Sequence, residues 1–252
     1  MFLRNRSDDV RLALMVLTRI PVGSAVLGPG ATLARAVWAY PIAGALVGAL
    51  AGAAYAVAIL ARLPDLVAAS FALIASVLVT GALHEDGLAD FADGLGGGRD
   101  RQSKLAIMRD SRIGTYGVVA LLLAFLVRWA AIPSLGTPEE TLFIWIAAGA
   151  LSRSSIAIIL WCLPPARIDG LGAAAARPPR WSVVAALGIG LSIALVFLDV
   201  NAVPLVAITI LASVVVLGLA RRHLQGHTGD VLGACALCCE CCCLVVATVG
   251  WM

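Results

Sequence analysis

The sequence is short of charged residues, and no segment of it separates two domains. Only 13% of its 252 residues are charged and 61% are hydrophobic, whereas about 25% of the residues in a soluble globular domain are charged. This balance excludes an ordinary soluble domain and predicts a membrane-embedded protein. No repeat or low-complexity linker interrupts the chain. We therefore predict one membrane-embedded domain over residues 1–252, with no nucleic-acid partner.

We expect no cleavable signal peptide, because charged residues precede the first long apolar run. Seven runs of about 18 or more apolar residues follow, which predicts an all-α, polytopic bundle of about seven transmembrane helices. A shorter amphipathic segment, "DDVRLALMVLTRIPV" at 8–22, is predicted to lie on the membrane surface. The seven runs cover residues 37–61, 66–83, 115–132, 141–163, 181–198, 202–220 and 231–251.

Lys and Arg are distributed unevenly between the two sets of loops. With the N-terminus in the cytoplasm, fifteen of the 18 Lys and Arg residues fall in cytoplasmic segments, and only Arg62 falls on the opposite side. Because short loops rich in these residues stay in the cytoplasm, we predict an N-in, C-out orientation.

The seven cysteines show no CxxC pair with flanking histidines. Four of them share one face of a predicted helix, so a metal site is one interpretation. We prefer the simpler interpretation, in which cysteine acts as a small apolar residue in lipid. The four are Cys235, Cys238, Cys239 and Cys242.

The segment "HEDGLADFADGLGGG" at 84–98 gathers carboxylates and glycines directly after an apolar run. We predict that the second transmembrane helix continues from Leu66 to Asp93, which places Asp86, Asp90 and Asp93 on one face. Because a helix C-terminus disfavours carboxylates, a cation must compensate for them. Clustered oxygen ligands suit Mg²⁺, which binds a few carboxylates together with substrate phosphates.

Basic residues follow in "RDRQSKLAIMRDSRIGTYG" at 99–117. Arg109 and Arg112 are candidates to bind phosphate oxygens, and Asp110 is a further candidate metal ligand. His84, at the start of the acidic segment, either supports the site or has no role in it. Together the two segments predict a site for Mg²⁺ and a diphosphate at the membrane surface. The alternative is a loop that is charged only because water surrounds it.

Some polar residues lie in apolar surroundings, where ionisable groups are usually functional or paired. Arg128 either pairs with Glu240 or faces a cavity, and we prefer the pairing. Arg153 either touches substrate or is structural. Thr228 and Asp230 either contribute to the site or cap the last helix.

These segments resemble the adenosylcobinamide-GDP ribazoletransferase family, also called cobalamin synthase. The resemblance is carried by "HEDGLADFADGLGGG" and "KLAIMRDSRIGTYG", and it extends through "LTRIPVG", "LSRSSIAIILWCLPPARIDGLG" and "GHTGDVLGA" over nearly the whole chain. The CDP-alcohol transferase pattern DxxDGxxAR fits less well, because "DFADG" is followed here by "LGGG". A secondary transporter is the weakest alternative, since no repeat relates two halves of the chain.

The resemblance implies a Mg²⁺-dependent membrane transferase of the last steps of cobalamin assembly, in the prokaryotic cytoplasmic membrane with its site on the cytoplasmic side. Its substrates would be adenosylcobinamide-GDP and α-ribazole or its phosphate, and GMP would leave. The lipid bilayer surrounds such an enzyme, and a homo-oligomer or association with other cobamide-assembly enzymes is left open.

The resemblance also implies roles for individual residues. Asp86, Asp90 and Asp93 would hold Mg²⁺, and one of them or Asp110 would act as the catalytic base. Substrate-binding roles are implied for Arg109, Ser111, Arg112, Gly114, Arg153, Arg167, Thr228 and Asp230.

Overall fold

The protein is a bundle of helices. A computed structural model describes residues 2–23 and 32–249, without the side chains of residues 2–5. These residues contain twelve α-helices and no strand, apart from one isolated bridge between Pro165 and His227. The predicted all-α class is therefore confirmed. The helices are α1 (Phe2–Leu17), α2 (Leu33–Ala36), α3 (Tyr40–Leu60), α4 (Asp65–Thr80), α5 (Leu83–Gly97), α6 (Arg101–Ile107), α7 (Thr115–Ala131), α8 (Pro138–Cys162), α9 (Gly170–Ala174), α10 (Arg180–Leu198), α11 (Ala202–His223) and α12 (Gly229–Ala247).

Several of these helices are long and apolar enough to cross a membrane. Five segments of the described residues meet this condition, and a bent pair formed by α4 and α5 makes a sixth when it is counted as one span. Within the described residues, the seven predicted apolar runs are mainly helical. The candidate spans number five or six, so the prediction of seven is not confirmed. The five segments are Leu33–Leu60, Thr115–Ser134, Pro138–Cys162, Arg180–His223 and Gly229–Ala247.

The segment Arg180–His223 is divided into two helices that run in opposite directions. Asp199 has φ 50° and ψ −135°, which ends α10. At that end of α10, the ring of Phe197 lies 5.3 Å from the ring of Phe143, near the start of α8. At the far end of α11, His227 pairs with Pro165, which follows the end of α8. Thus α11 runs back along the bundle to the end where α8 finishes.

Helix α8 is the centre of the bundle and is in close contact with α3. A Cβ atom added to Gly48 of α3 would meet the backbone carbonyl of Trp145, and one added to Gly44 would meet that of Gly149. Small residues allow helix backbones in membranes to approach closely and to gain van der Waals contact. The glycines of α3 therefore fix the distance between these two helices.

The prediction of one continuous helix from Leu66 to Asp93 is wrong. Helix α4 ends at Thr80, and α5 leaves at an angle of 87° to it. Gly81 (φ 64°) and Ala82 (φ 59°) are both left-handed, and their amides bond to carbonyl groups in the last turn of α4. A side chain on Gly81 would collide with Arg19, so a residue distant in sequence packs into the break.

Helix α1 differs from the amphipathic segment predicted at 8–22. It covers Phe2–Leu17 and ends four residues before Pro21. Ala13 and Leu17 are buried in the core. Asp9 is also buried and accepts a hydrogen bond from Nε1 of Trp38 at 2.9 Å. One face of α1 is therefore packed against the bundle.

Candidate functional site

The site lies where α5 and α12 approach each other closely. A Cβ atom on Gly87 would lie 2.9 Å from the carbonyl oxygen of Asp230, and one on Gly233 would lie 3.3 Å from Cα of Gly87. Such contacts leave little room for any side chain but hydrogen. The close approach brings Asp86 of α5 and Asp230 of α12 to the wall of one cavity.

This cavity has a volume of about 250 Å³ and lies at the end of the bundle where α8 finishes. Apolar side chains from α1, α3, α8 and α12 form much of its wall. Its polar residues come from three stretches that are far apart in the sequence. They are His84, Asp86, Arg167, Asp169, His227, Thr228 and Asp230.

Asp86 and Asp90 lie one turn apart on α5. Because the helix begins at Leu83, Asp86 is in its first turn, where the helix dipole favours a carboxylate. This reverses the expected position at a helix C-terminus. Asp90 lies within electrostatic range of Asp86 and Asp230, and no described side chain forms an ion pair with Asp86 or Asp90. Neither of these two carboxylates is therefore neutralised by a direct ion pair.

A metal ion would need ligands beyond those that the protein provides. Within residues 2–23 and 32–249, no three His, Cys, Asp or Glu side chains are arranged to hold one. Mg²⁺ does not require such a group, because it is usually bound by one or two carboxylates, substrate phosphates and waters. The unpaired carboxylates of Asp86 and Asp90 fit that pattern of donors.

Thr228 and Asp230 belong both to a helix cap and to the cavity. Oγ1 of Thr228 accepts a hydrogen bond from the amide of Val231 at 3.3 Å, so Thr228 caps α12. The same hydroxyl donates to Oδ2 of Asp230 at 3.1 Å. Nη1 of Arg167 lies 3.7 Å from that oxygen. Capping of α12 and a contribution to the site, which the sequence left as alternatives for these residues, are therefore compatible.

Arg167 is the basic residue at the cavity wall. Its Nη2 also donates to the carbonyl of Leu105 at 2.7 Å, which connects it to α6. Burial lowers the pKa of its guanidinium, and the nearby carboxylate of Asp230 opposes that shift. The residue stays charged and is held by groups on both sides.

Asp93 does not line the cavity, and its carboxylate is bonded to backbone amides instead. Its carboxylate accepts hydrogen bonds from the amides of Gly114 at 2.7 Å and Gly117 at 2.9 Å, so it caps the first turn of α7. Added Cβ atoms at either glycine would collide with this carboxylate. Asp93 is on the predicted helix face, but its charge is directed at backbone amides.

Two arginines of the loop at 109–114 form ion pairs, one with Asp169 outside the loop and one within it. Arg109 donates to both oxygens of Asp169, at 2.7 and 2.8 Å, and so reaches the cavity rim through that partner. Arg112 pairs with Asp110 at 2.6 Å and holds the pKa of that carboxyl at about 2. Neither Asp110 nor Arg112 lines the cavity, and nor does the exposed Ser111.

A buried network of charges lies in the interior of the bundle. Nη1 of Arg128 donates to Glu240 at 3.2 Å, which confirms the preferred pairing, and Nη2 donates to Glu85 at 3.1 Å. Arg153 also donates to Glu240 and to Ser152. Neither arginine lines the cavity. Two buried cations balance two buried anions, so the network is neutral as a unit.

Sequence reasoning missed several members of the site and its surroundings. Glu85 lies off the helix face that Asp86 and Asp90 share, which makes it a weaker candidate from the sequence, yet a buried Arg in a span requires carboxylate partners, and that rule points to it. Nothing local indicated His227, which reaches the cavity only because its loop pairs with Pro165. His84 lines the same cavity.

The cysteines show no metal-binding arrangement in the described chain. All seven are free, and Cys235, Cys239 and Cys243 are buried. Cys243 contacts the hydroxyl of Thr209 on α11 at 3.1 Å, and Cys239 contacts that of Ser213 at 3.5 Å. These contacts agree with the interpretation of cysteine as a packing residue.

Comparisons with known proteins give a consistent result. A family model described as cobalamin-5-phosphate synthase matches residues 9–248. No solved structure was found to match the chain with significance.

Three similar proteins carry the name adenosylcobinamide-GDP ribazoletransferase. The protein of Bradyrhizobium diazoefficiens is 44% identical over 233 residues, which cover 92% of this chain and 90% of the relative. That of Sinorhizobium medicae is 45% identical and covers 90% of each chain. That of Mesorhizobium japonicum is 41% identical over 96% of this chain and 93% of the relative.

Proposed function

Because the chain belongs to the cobalamin-5-phosphate synthase family, we propose that it joins adenosylcobinamide-GDP to α-ribazole or its phosphate at the cavity between α5 and α12. It is a transferase of the final step of cobalamin synthesis. In the reaction, a ribose hydroxyl oxygen attacks the phosphorus next to the corrinoid. The bond from that phosphorus to the bridging oxygen breaks, and GMP leaves with the bridging oxygen.

The carboxylates of α5 are assigned to Mg²⁺, with Asp86 and Asp90 as its protein ligands. When bound, the ion would neutralise charge that develops on the diphosphate as it is split. The observation that supports this assignment is that neither carboxylate forms an ion pair with a described side chain. Asp93 would support α7, because its two oxygens already accept backbone amides.

Asp230 is assigned to accept the proton of the attacking hydroxyl. It lines the cavity together with Asp86, and Thr228 and Arg167 fix the orientation of its carboxylate through Oδ2. A base in this position can receive a proton while the metal ligands stay charged. Asp110 is less suited to this role because its ion pair with Arg112 lies away from the cavity.

Arg167 is assigned to bind the phosphate oxygens, because it lies at the cavity wall. Arg109 would assist from the rim, where its partner Asp169 lies. Ser111, Arg112 and Gly114 stay predicted substrate contacts of the same loop. Arg153 is buried against Glu240, so we assign it to the stability of the bundle.

The observation that carries the proposed function is that Asp86, Asp230 and Arg167 line one cavity. Purified protein in detergent or liposomes would be given adenosylcobinamide-GDP, α-ribazole and Mg²⁺. Release of GMP that requires both substrates is the expected result. No release from well-folded protein would contradict the proposal, and EDTA should stop the reaction if Mg²⁺ is required.

The arrangement in the membrane is part of the same proposal. If α10 and α11 cross separately and α4 with α5 forms one span, the chain crosses seven times, with the N-terminus and the site in the cytoplasm and the C-terminus outside. The excess of Lys and Arg in the segments at the site end supports this orientation. A C-terminal alkaline phosphatase fusion should be active in the periplasm. If this fusion is inactive and a C-terminal fusion to a cytoplasmic reporter is active, the C-terminus lies in the cytoplasm and the proposed orientation is wrong.

A further inference from the structure

The cavity is lined both by exposed carboxylates and by buried apolar side chains. Asp86 and Asp169 are exposed to solvent, whereas Leu17, Tyr40 and Ile156 on the same wall are buried. The cavity therefore has a charged mouth and an apolar inner part. We call this inner part the chamber and define it by Leu17, Tyr40, Ile156, His84 and His227.

Two histidines in the chamber have no hydrogen-bond partner in the described chain. His84 is 2% exposed and His227 is 1% exposed, and neither Nδ1 nor Nε2 of either ring is bonded. A buried polar group without a partner costs about 1–3 kcal/mol and calls for an explanation such as a ligand. Burial lowers the pKa of His227 to about 4, so its imidazole is neutral at physiological pH and offers one donor and one acceptor.

We propose that the chamber binds the base of α-ribazole, with an imidazole N–H of His84 or His227 donating to the free ring nitrogen of that base. This inference rests on the proposed function, which brings the riboside to the site. The base is a dimethylbenzimidazole, a flat, uncharged and mostly apolar bicycle. It has one unsubstituted ring nitrogen, which can only accept a hydrogen bond.

The size of the cavity distinguishes between the parts of the two substrates. A volume of about 250 Å³ is below the roughly 300–1,000 Å³ of pockets that hold drug-sized ligands. A corrin ring is too large for it, but one bicyclic base is not. Guanine has a similar size, but its several donors and acceptors would be left without partners against Leu17, Tyr40 and Ile156, which carries an energetic cost.

The position of the chamber is also consistent with the chemistry at the mouth. A base held among the buried residues directs its ribose outward, toward Asp86 and Asp230. The ribose hydroxyl then meets the residue assigned as its base, and the corrinoid stays outside the cavity. The ribose hydroxyl then approaches the phosphorus of adenosylcobinamide-GDP from the cavity side, which places the two reacting groups together for direct transfer.

The test measures binding of each substrate alone by calorimetry, using the full-length protein in detergent. His84→Leu and His227→Leu each remove the donors, and His84→Gln and His227→Gln retain one. At least one Leu variant should raise the Kd for α-ribazole roughly tenfold with little change for adenosylcobinamide-GDP. The matching Gln variant should recover part of the loss.

A second pair of variants tests the volume of the chamber. Ala173→Phe adds a ring at a residue that lines the cavity, and Ala174→Phe adds one at its exposed neighbour outside the cavity wall. Ala173→Phe should shift the preference from α-ribazole toward the riboside of unsubstituted benzimidazole, whereas Ala174→Phe should not. A defect of folding alone would not change the preference between two bases.

Two results would overturn this inference. The first is that α-ribazole binding stays unchanged in both Leu variants and in Ala173→Phe. The second is that these variants weaken binding of GMP or adenosylcobinamide-GDP instead, which would assign the chamber to guanine. A wild-type protein that binds no α-ribazole and releases no GMP would instead refute the proposed function itself.

Discussion

Arg128 on α7 donates a hydrogen bond to Glu85 on α5 at 3.1 Å, and Glu85 is the residue directly before Asp86. The side chain of Arg128 is fully buried, and that of Glu85 is 6% exposed. The first turn of α5, which carries a proposed metal ligand, is therefore attached to the interior of the bundle. Removing one partner of a buried ion pair leaves an uncompensated charge, which is far more costly than losing an exposed pair.

We expect Arg128→Met to lower the free energy of unfolding by about 3–5 kcal/mol. The double variant Arg128→Met/Glu85→Gln should recover part of this loss, since it removes the charge of Glu85, the carboxylate that Arg128→Met leaves unpaired, while Glu240 keeps its pair with Arg153. Thermal unfolding in detergent measures both effects. The matched control is Arg112→Met, which breaks an exposed pair and should leave the Tm unchanged. Equal effects at the two arginines would contradict the proposed role of the buried network.

Asp93→Ala should destabilise the protein without changing the metal site directly. Its carboxylate satisfies two amides at the start of α7, so we expect a loss of about 1–3 kcal/mol. Hydrogen exchange at Gly114 and Gly117 should become faster. Asp90→Ala is the control on the same helix, because no described group donates a hydrogen bond to Asp90, and it should leave these amides protected. If hydrogen exchange at these two amides is unchanged in Asp93→Ala, Asp93 does not cap α7.

The glycines of α3 provide a test of packing. Gly48→Ala would place a methyl group against the backbone carbonyl of Trp145, so the two helices must separate. We expect a loss of about 1–3 kcal/mol, seen as a lower Tm. Gly188→Ala on α10 is the control, because the added methyl group meets no atom within 4 Å, and its Tm should be equal or higher. A Tm unaffected by Gly48→Ala would contradict the close contact between α3 and α8.

The sequence was sufficient to predict where the helices lie in the chain, but not every break between them or how they pack. Apolar runs gave α7 and α8 within a few residues of their observed ends, because burial and lipid contact both require continuous apolar segments. The break at Gly81 could not be predicted in the same way. A glycine in an apolar run is common in membrane helices, and the break is packed by Arg19, from a distant part of the chain.

The candidate site was predicted in part for a related reason. Asp86 and Asp90 could be proposed as site residues because the chemistry of an acidic cluster is local to the sequence. The role of Asp93 depends on the amides of Gly114 and Gly117, and that of Glu85 depends on Arg128 of another helix. Such roles follow from tertiary contacts, which a single sequence does not specify.

Asp86 and Asp110 should respond in opposite ways to substitution. Asp86 lines the cavity and has no described cationic partner, so Asp86→Ala should abolish GMP release while the Tm is retained. Arg112 donates to Asp110 and holds its pKa at about 2, so this carboxylate is charged at neutral pH and well below it. A base with so low a pKa accepts a proton poorly.

We therefore expect Asp110→Asn to retain most of the activity and to leave the acidic limb of the kcat profile in place. The deciding experiment is the profile of kcat against pH for the wild type and Asp110→Asn, together with the rate of GMP release by Asp86→Ala. The acidic limb belongs to a carboxylate that must lose its proton before it can act, so activity falls as the pH drops through the pKa of that group. If the limb disappears in Asp110→Asn while Asp86→Ala stays active, the catalytic carboxylates are in the loop at 109–114, and the cavity between α5 and α12 is not the active site.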